Sequence, residues 1–362
     1  MQKKNSFGRA LIMFPLSLLF GIVIWFRNKL YDLKLCRSKE FDVPVISVGN
    51  ITVGGTGKTP TTEYIIRLLK NEFTVATLSR GYKRKTKGFI LATETSTSKQ
   101  IGDEPKQIKQ KFPEICVAVC ENRLTGINKI QKIQSNVNVI LLDDAFQHRR
   151  VIPGVSILLI DYHRPISKDS MLPMGTLRES PHQMKRANII LVTKCPIEMK
   201  PIEKRIIEKE LHLFPYQTLY FTTIKYGAIH PVFEAVSNMN ISKSNCLLVT
   251  GIANAKPLVD HVASITKNTN HITFPDHYAY SQKDQEAIIM AYNQMPGDNK
   301  IILTTEKDAV RFRDFMNVNE ILIEKMYYIP IEIEFMYNDN DSFNKQILNY
   351  VRSNKKYIGF RS

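Results

Sequence analysis

An apolar stretch, Val43–Val48, runs into GNITVGGTGKTP and then into an amphipathic segment, and this constrains the chain more than any other feature. The core of the turn is Gly54-Gly55-Thr56-Gly57-Lys58-Thr59, and Tyr64, Ile65, Leu68 and Leu69 then make one apolar helical face. Strand, Gly-Lys-Thr and helix in that order are the context of a phosphate-binding P-loop. Its glycines let backbone N–H groups close around phosphate oxygens, and the helix N-terminus adds its positive end. The cradle runs through Thr52, Val53, Gly54, Gly55, Thr56 and Gly57. Lys58 is placed to reach the β- and γ-phosphates of a nucleotide, and the Thr59 hydroxyl to ligate Mg²⁺. Thr52 stands where the motif usually has its first glycine.

A P-loop belongs at the end of a parallel strand covered on both faces, and the following sequence is patterned for that. Thr74–Leu78, Ile115–Val119, Val137–Leu142, Val155–Ile160 and Asn188–Val192 read as further buried strands separated by helix-like segments. A second α/β set begins near Asn245 with CLLVTGIA, ITFPDHYAYS and KIILTTEKDAV. Leu219–Tyr226 and Tyr328–Phe335 bracket it and suit a two-stranded connector. The expected fold is α/β: a P-loop NTPase-like, mostly parallel sheet core, a second smaller α/β domain, a two-stranded linker and an N-terminal membrane helix. The expected boundaries are 1–27 for the membrane-associated helix, 28–226 for the core, 227–335 for the smaller domain with its linker strands, and 336–362 for a C-terminal helix or tail.

Residues Ala10–Phe26 carry no charge. As a helix they span about 25 Å, short of the roughly 30 Å hydrocarbon core. Lys3, Lys4 and Arg9 precede the run, and Arg27, Lys29, Lys34 and Arg37 follow it. Basic residues on both sides suit a helix dipping into one leaflet from the cytoplasmic side, with Trp25 and Phe26 at the interface. Pro15 and Gly21 allow a kink. A small-residue cleavage site is missing, which argues against a secretory signal; a buried core helix is the alternative. Lys and Arg outnumber Asp and Glu by 50 to 34, a net charge of +16, so partners are expected to be anionic. The charge is dispersed and accompanies no nucleic-acid-binding module, so nucleic acid is not expected. Lys83, Arg84, Lys85 and Lys87 suit a membrane surface or a substrate phosphate, and equally a solvated loop. Five cysteines without a C-x-x-C pair indicate a reducing compartment.

Val137–Leu142 ends in Asp143-Asp144, the carboxylates a P-loop protein needs near its Mg²⁺; a capped turn is the plainer reading. Gln147, His148 and Arg149 follow. Thr193-Lys194-Cys195-Pro196 has Pro where a guanine-selecting motif needs Asp, which favours ATP.

Eight motifs then occur in order: TVGGTGKTP (52–60), SRGYKR (79–84), GDEP (102–105), LLDDAFQHR (141–149), LPMGTLRE (172–179), TGIANAKP (250–257), PDHYAYS (275–281) and TTEKD (304–308). Together they resemble the tetraacyldisaccharide 4'-kinase family of lipid A biosynthesis, over nearly the whole chain. Ala145 stands where many relatives have Gly, and Thr176 where many have Pro. The resemblance implies transfer of the γ-phosphate of ATP, with Mg²⁺, to the 4'-hydroxyl of an acylated glucosamine disaccharide 1-phosphate. It implies work at the cytoplasmic face of the inner membrane, with no obligate protein partner. A membrane-tethered P-loop ATPase acting on a protein partner is the competing function.

The family pattern makes Asp103 the base for the sugar hydroxyl and His277 its partner. Read from its residues alone, Gly102-Asp103-Glu104-Pro105 is equally a turn opening a helix, and His277 equally a surface-loop histidine. Asp143, Asp144, Thr59 and Glu104 are the expected Mg²⁺ ligands. Gln147 and His148 are expected beside the nucleotide. Arg178 is a candidate to neutralise the transferring phosphate, or else an ion pair with Glu179. Thr305, Glu306, Lys307 and Asp308 receive no separate tasks.

Overall fold

The computed structural model describes residues 2–233 and 241–358, with side chains from Met13 onward, apart from Lys243 and those beyond Asn354. Lys3, Lys4 and Arg9 therefore lie outside the described side chains, and the last four residues of the expected tail lie outside the described residues.

Helix α1 (Gln2–Asp32) leads to strand β1 (Val45–Asn50), helix α2 (Lys58–Leu69) and strand β2 (Val75–Ser79). Strand β3 (Ile90–Leu91), helices α3 (Ser98–Ile101) and α4 (Asp103–Lys111), strand β4 (Cys116–Val119) and helix α5 (Arg123–Ile133) follow. Next come β5 (Val139–Asp143), β6 (Val155–Asp161), β7 (Ile189–Thr193), α6 (Pro201–Leu211) and β8 (Thr218–Tyr226). The second set is β9 (His230–Pro231), β10 (Asn245–Thr250), α7 (Lys256–Ile265), β11 (Asn268–Thr273), α8 (Gln282–Gln294) and β12 (Lys300–Thr305). It continues with α9 (Glu306–Arg313), α10 (Glu320–Lys325) and β13 (Met326–Ile329), and the chain closes with β14 (Ile331–Phe335) and α11 (Asn340–Ile358).

The larger sheet has the order β14-β8-β7-β6-β1-β5-β2-β4-β3, and its two outermost strands run antiparallel to their neighbours. The strands between are parallel, as a P-loop core requires. Alternation along β1 serves both faces: Ile46 and Val48 pack with Ile65, Ile66 and Leu69 of α2, while Val45 packs with Ile127 and Ile130 of α5. β1 lies between β5 and β6, so the P-loop leaves the sheet where the chain path reverses, the usual ligand crevice of such sheets. The smaller sheet, β11-β10-β12-β13-β9, is parallel apart from its β13–β9 edge.

The connector strands pair, Ile331 opposite Tyr226 through Phe335 opposite Thr222. They also extend the larger sheet, because β8 runs parallel to β7. The segment read as one strand over 328–335 divides at Pro330, which lacks the N–H a central strand uses; β13 stays in the smaller sheet and β14 joins the larger. The expected tail packs against the body: Phe343, Ile347 and Val351, spaced one helical turn apart, are fully buried in the core beside α2.

Helix α1 extends past the predicted end at Phe26, and its second half binds the body. Ser17 Oγ donates to Met171 O at 2.9 Å, Arg27 donates to Gln147 O at 2.7 Å and Arg149 pairs with Asp32 at 2.6 Å. Met13–Asp32 is long and apolar enough to cross a membrane, yet its second half is fastened to the protein, while Phe14, Leu18, Leu19, Ile22, Trp25 and Phe26 are exposed. Deleting residues 1–16 should therefore leave the melting temperature nearly unchanged. Deleting 1–32 should lower it by about 5 °C or more, because Arg149 and the buried Glu179 lose polar partners. Calorimetry of both truncations checks this; equal melting temperatures would refute it.

Candidate active site

At the end of β1, the Asn50 amide donates to Thr56 Oγ1 at 2.8 Å and lies 3.5 Å from Thr52 Oγ1, so both threonine side chains face inward. Gly54 and Gly57 sit at φ 100° and 85°, where a Cβ is strained, and Gly57 delivers the chain into α2. Val53 N–H donates to Thr176 O at 2.8 Å, and Val53 O accepts from Arg164 at 3.0 Å. The Val53 backbone is thus also held from outside the loop, by Thr176 and Arg164. Thr193 Oγ1 donates to Thr56 O at 2.9 Å, while Lys194 Nζ donates to Gly55 O and pairs with Asp161 at 2.7 Å. Thr193 and Lys194 therefore hold the P-loop's shape.

Asp143 ends β5 directly beside Val48 of β1, so the sheet register carries it to the P-loop. It is 2% exposed, and its Oδ1 has no hydrogen-bond partner among the described residues. Burial, then the charges of Glu104 and Asp144, push its carboxyl well above the usual range. Asp144, at φ 47°, has Oδ1 3.6 Å from Lys58 Nζ and both oxygens 3.2 Å from Arg178. Burial works against its ionised form, but Lys58 and Arg178 outweigh it and hold the carboxyl low. Arg178 thus faces Asp144; Glu179 instead pairs with Arg186 and Asn28. A buried carboxylate oxygen without a partner, flanked by Asp144 and Glu104, fits a hard cation. Thr59 lies on the first turn of α2. Among the described residues no three His, Cys, Asp or Glu form a closed cage, as suits Mg²⁺, which takes few protein ligands and completes its shell with phosphate and water.

Asp103 opens α4, between two strands of the larger sheet, and His277 lies in the loop after β11 of the smaller; the two meet. His277 Nδ1 lies 3.1 Å from Asp103 Oδ2, and Arg311 donates to the same oxygen through Nε at 3.0 Å and Nη2 at 2.7 Å. Burial alone would raise the Asp103 carboxyl; the hydrogen bonds and charges of His277 and Arg311 hold it at about 2. Lys307 Nζ donates to His277 Nε2 at 3.0 Å, which leaves Nδ1–H to face Asp103. His277 sits at φ 59°, with the exposed Tyr82 ring edge-on at 5.2 Å. Behind it, the buried Asp308 pairs with Arg311 at 2.7 Å, accepts Gly251 N–H at 2.9 Å and binds Thr305 Oγ1 at 2.7 Å. The Thr-Glu-Lys-Asp motif thereby gains separate tasks: Thr305 caps α9, Lys307 orients His277 and Asp308 aims Arg311. Arg311 was not singled out in the sequence; its local signal was only an acid–base pair three residues apart on a helix.

Gln147 and His148 also bond to backbone. Gln147 Nε2 donates to Asn50 O at 2.8 Å and its carbonyl holds Arg27, tying α1 to the P-loop. His148 Nε2 lies 2.9 Å from Glu121 O. Burial, then Arg123, lowers the His148 pKa to about 4, below the ordinary value of 6.5. The folded state binds that proton less readily than the unfolded chain, so stability is lost as pH falls from 6.5 towards 4. His148→Gln should flatten melting temperature against pH in that window; an unchanged slope would contradict the assignment. Thr176 uses what Pro lacks: its N–H donates to Asp169 Oδ1 at 3.0 Å and its hydroxyl to Oδ2. Within the basic run, Arg84 is engaged with Glu121 at 2.5 Å, and Lys83, Lys85 and Lys87 remain exposed. The five cysteines are all free thiols.

The family model described as Tetraacyldisaccharide-1-P 4'-kinase matches residues 9–352. A Tetraacyldisaccharide 4'-kinase of Phocaeicola vulgatus is 46% identical, over 96% of this chain and 97% of its own. That of Flavobacterium johnsoniae is 44% identical, over 95% and 97%. The crystal structure of the "apo" form of LpxK from Aquifex aeolicus in complex with ATP has a TM-score of 0.73 at 28% identity, covering 93% of this chain and 98% of that one.

Proposed function

The chain belongs to the tetraacyldisaccharide-1-P 4'-kinase family, and from its site we propose how it does that family's work. It is an ATP-dependent lipid kinase that phosphorylates the 4'-hydroxyl of tetraacyldisaccharide 1-phosphate, giving the 1,4'-bisphosphate precursor of lipid A. The P-loop from Gly54 and the α2 N-terminus bind the triphosphate of ATP. Lys58 follows the migrating γ-phosphoryl group, and Arg178, held by Asp144, adds positive charge beside it. Thr59, Asp143, Asp144 and Glu104 would hold Mg²⁺, which when bound neutralises charge on the β- and γ-phosphate oxygens.

One observation carries the assignment of Asp103 as base: His277 and Arg311 both bind Oδ2, which leaves Oδ1 for the sugar hydroxyl. A carboxylate held this low is a weak base, which suits a loose transition state in which the hydroxyl proton leaves late. Because the dyad links the start of α4 to the loop after β11, it assembles with the domains together, excluding water that would otherwise take the phosphoryl group. The two domains and their ribbon are the units we assign to that closure.

The acceptor is an acylated glucosamine disaccharide 1-phosphate met at the cytoplasmic face of the inner membrane. The exposed apolar face of α1, from Phe14 to Phe26, enters one leaflet while the polar groups from Ser17 to Asp32 stay on the body, and Lys83, Lys85 and Lys87 face the anionic surface. Family membership and the dyad favour a hydroxyl acceptor over a protein partner. Incubation with radiolabelled ATP and the disaccharide 1-phosphate, followed by lipid extraction, tests this. Label is expected in the lipid phase; label released only as inorganic phosphate would leave an ATPase.

A further inference from the structure

Three helices that carry the active site converge on one buried charge cluster that the chemistry above does not use. Glu63, on the P-loop helix α2, is 1% exposed, and Glu306, the first residue of α9, is 7% exposed. Lys111 of α4 lies between them, 2.7 Å from Glu63 Oε2 and 2.9 Å from Glu306 Oε1. Gln107 donates to the same two carboxylates, at 2.8 and 3.2 Å. Asp103, Gln107 and Lys111 follow at four-residue spacing, so one face of α4 carries the base at its start and this cluster at its end. α9 likewise carries Glu306 beside Lys307, which holds His277, and Arg311, which holds Asp103.

We propose that Lys111 is a positioning residue: shared by Glu63 and Glu306, it docks α9 on α4 and α2 and so keeps Arg311 and the Lys307–His277 pair on Asp103. Two buried carboxylates without a cation between them repel, and losing one member of such a triad costs far more than the exposed ion pairs elsewhere on the surface. The other groups facing the cluster do not replace it. Arg67 is 3.8 Å from Glu63 and is drawn to Glu332 at 3.2 Å. Glu94, Lys109 and Arg313 line the adjoining cleft, and Arg313 is committed to Val232 O and Gln110. Burial and the neighbouring Glu306 already favour the protonated form of Glu63, and Lys111 opposes both.

The inference rests on Asp103 being the base, so the test separates the two. Lys111→Met keeps the stem and removes the charge. It should lower kcat about 10- to 100-fold, the scale of a misplaced catalytic group, while the KM for ATP changes less than about 3-fold. Amide exchange over 306–313 should accelerate. The loss should be deepest at alkaline pH and shrink as pH falls, because Glu63, whose carboxyl burial and Glu306 already raise, then takes a proton and bonds Glu306. Lys111→Arg should retain activity, and adding Glu306→Gln to Lys111→Met should restore much of kcat and remove the pH dependence. If Lys111→Met does not fold, the same pair of recoveries still decides the matter. Unchanged exchange over α9, or a pH-independent loss that Glu306→Gln does not relieve, overturns the proposal. Faster exchange with normal kcat also overturns it when Asp103→Asn is inactive, since docking then does not position the base. The same result with an active Asp103→Asn instead removes the base assignment beneath it.

Discussion

Lys58→Ala should reduce kcat by at least about 10³-fold while the protein remains folded. Lys58 opens α2, but the helix is held by Ile65, Ile66 and Leu69, buried against β1, and none of these contacts involves the lysine. Its ammonium lies 3.6 Å from Asp144 Oδ1 with the side chain 11% exposed, so the charge acts where water screens it weakly. Removing it leaves Asp144 with Arg178 and leaves the γ-phosphoryl without the charge that travels with it. Lys58→Arg should not rescue, because a planar guanidinium does not fit a cradle shaped for a compact ammonium. Steady-state kinetics with a melting curve for each variant check this. Turnover within about 10-fold of the parent in a folded Lys58→Ala protein would remove Lys58 from the chemistry, since even one oxyanion-type contact is worth more.

What was legible in the sequence was what local pattern encodes. The buried strands and the P-loop appear within a residue or two of their predicted places, because an apolar run bounded by glycines has few alternatives. The Asp103–His277 pairing was legible only through resemblance to a family; no spacing rule brings residues 174 positions apart together. Arg311 stayed hidden because nothing distinguishes it from other helical arginines until Asp308, Asp103 and His277 surround it. Gln147 and His148 read as site residues because polar groups follow the Asp pair; their bonds to Asn50 O and Glu121 O, which tie them to the backbone as well, have no signal in the sequence. Pro330 was visible, yet its effect depends on two sheets competing for one strand, which is a tertiary fact.

Asp103→Asn should depress kcat by about 10²- to 10⁴-fold, the range for loss of a general base, with ATP affinity nearly unchanged because the P-loop is untouched. Asparagine keeps the size and an acceptor oxygen but cannot take the hydroxyl proton. His277→Ala should also lower kcat. If His277 acts only through Asp103, the double variant should be little worse than Asp103→Asn alone. Arg311 adds a second handle. In the parent His277 and Arg311 hold the carboxyl low, at about 2, so Asp103 should stay ionised through the ordinary acid limb of activity. Arg311→Met removes two of the three donors to Oδ2, and the carboxyl should then titrate nearer its ordinary value of about 4. Activity should be lost earlier on acidification, because a base must be ionised to accept a proton. The measurement is kcat/KM against pH for the parent, each single variant and the Asp103–His277 double variant. Multiplicative losses in the double variant would make His277 a substrate contact rather than the partner of the base. A ratio of Arg311→Met to parent activity that stays constant as pH falls to about 4 would mean that Asp103 is not the group whose ionisation the reaction needs.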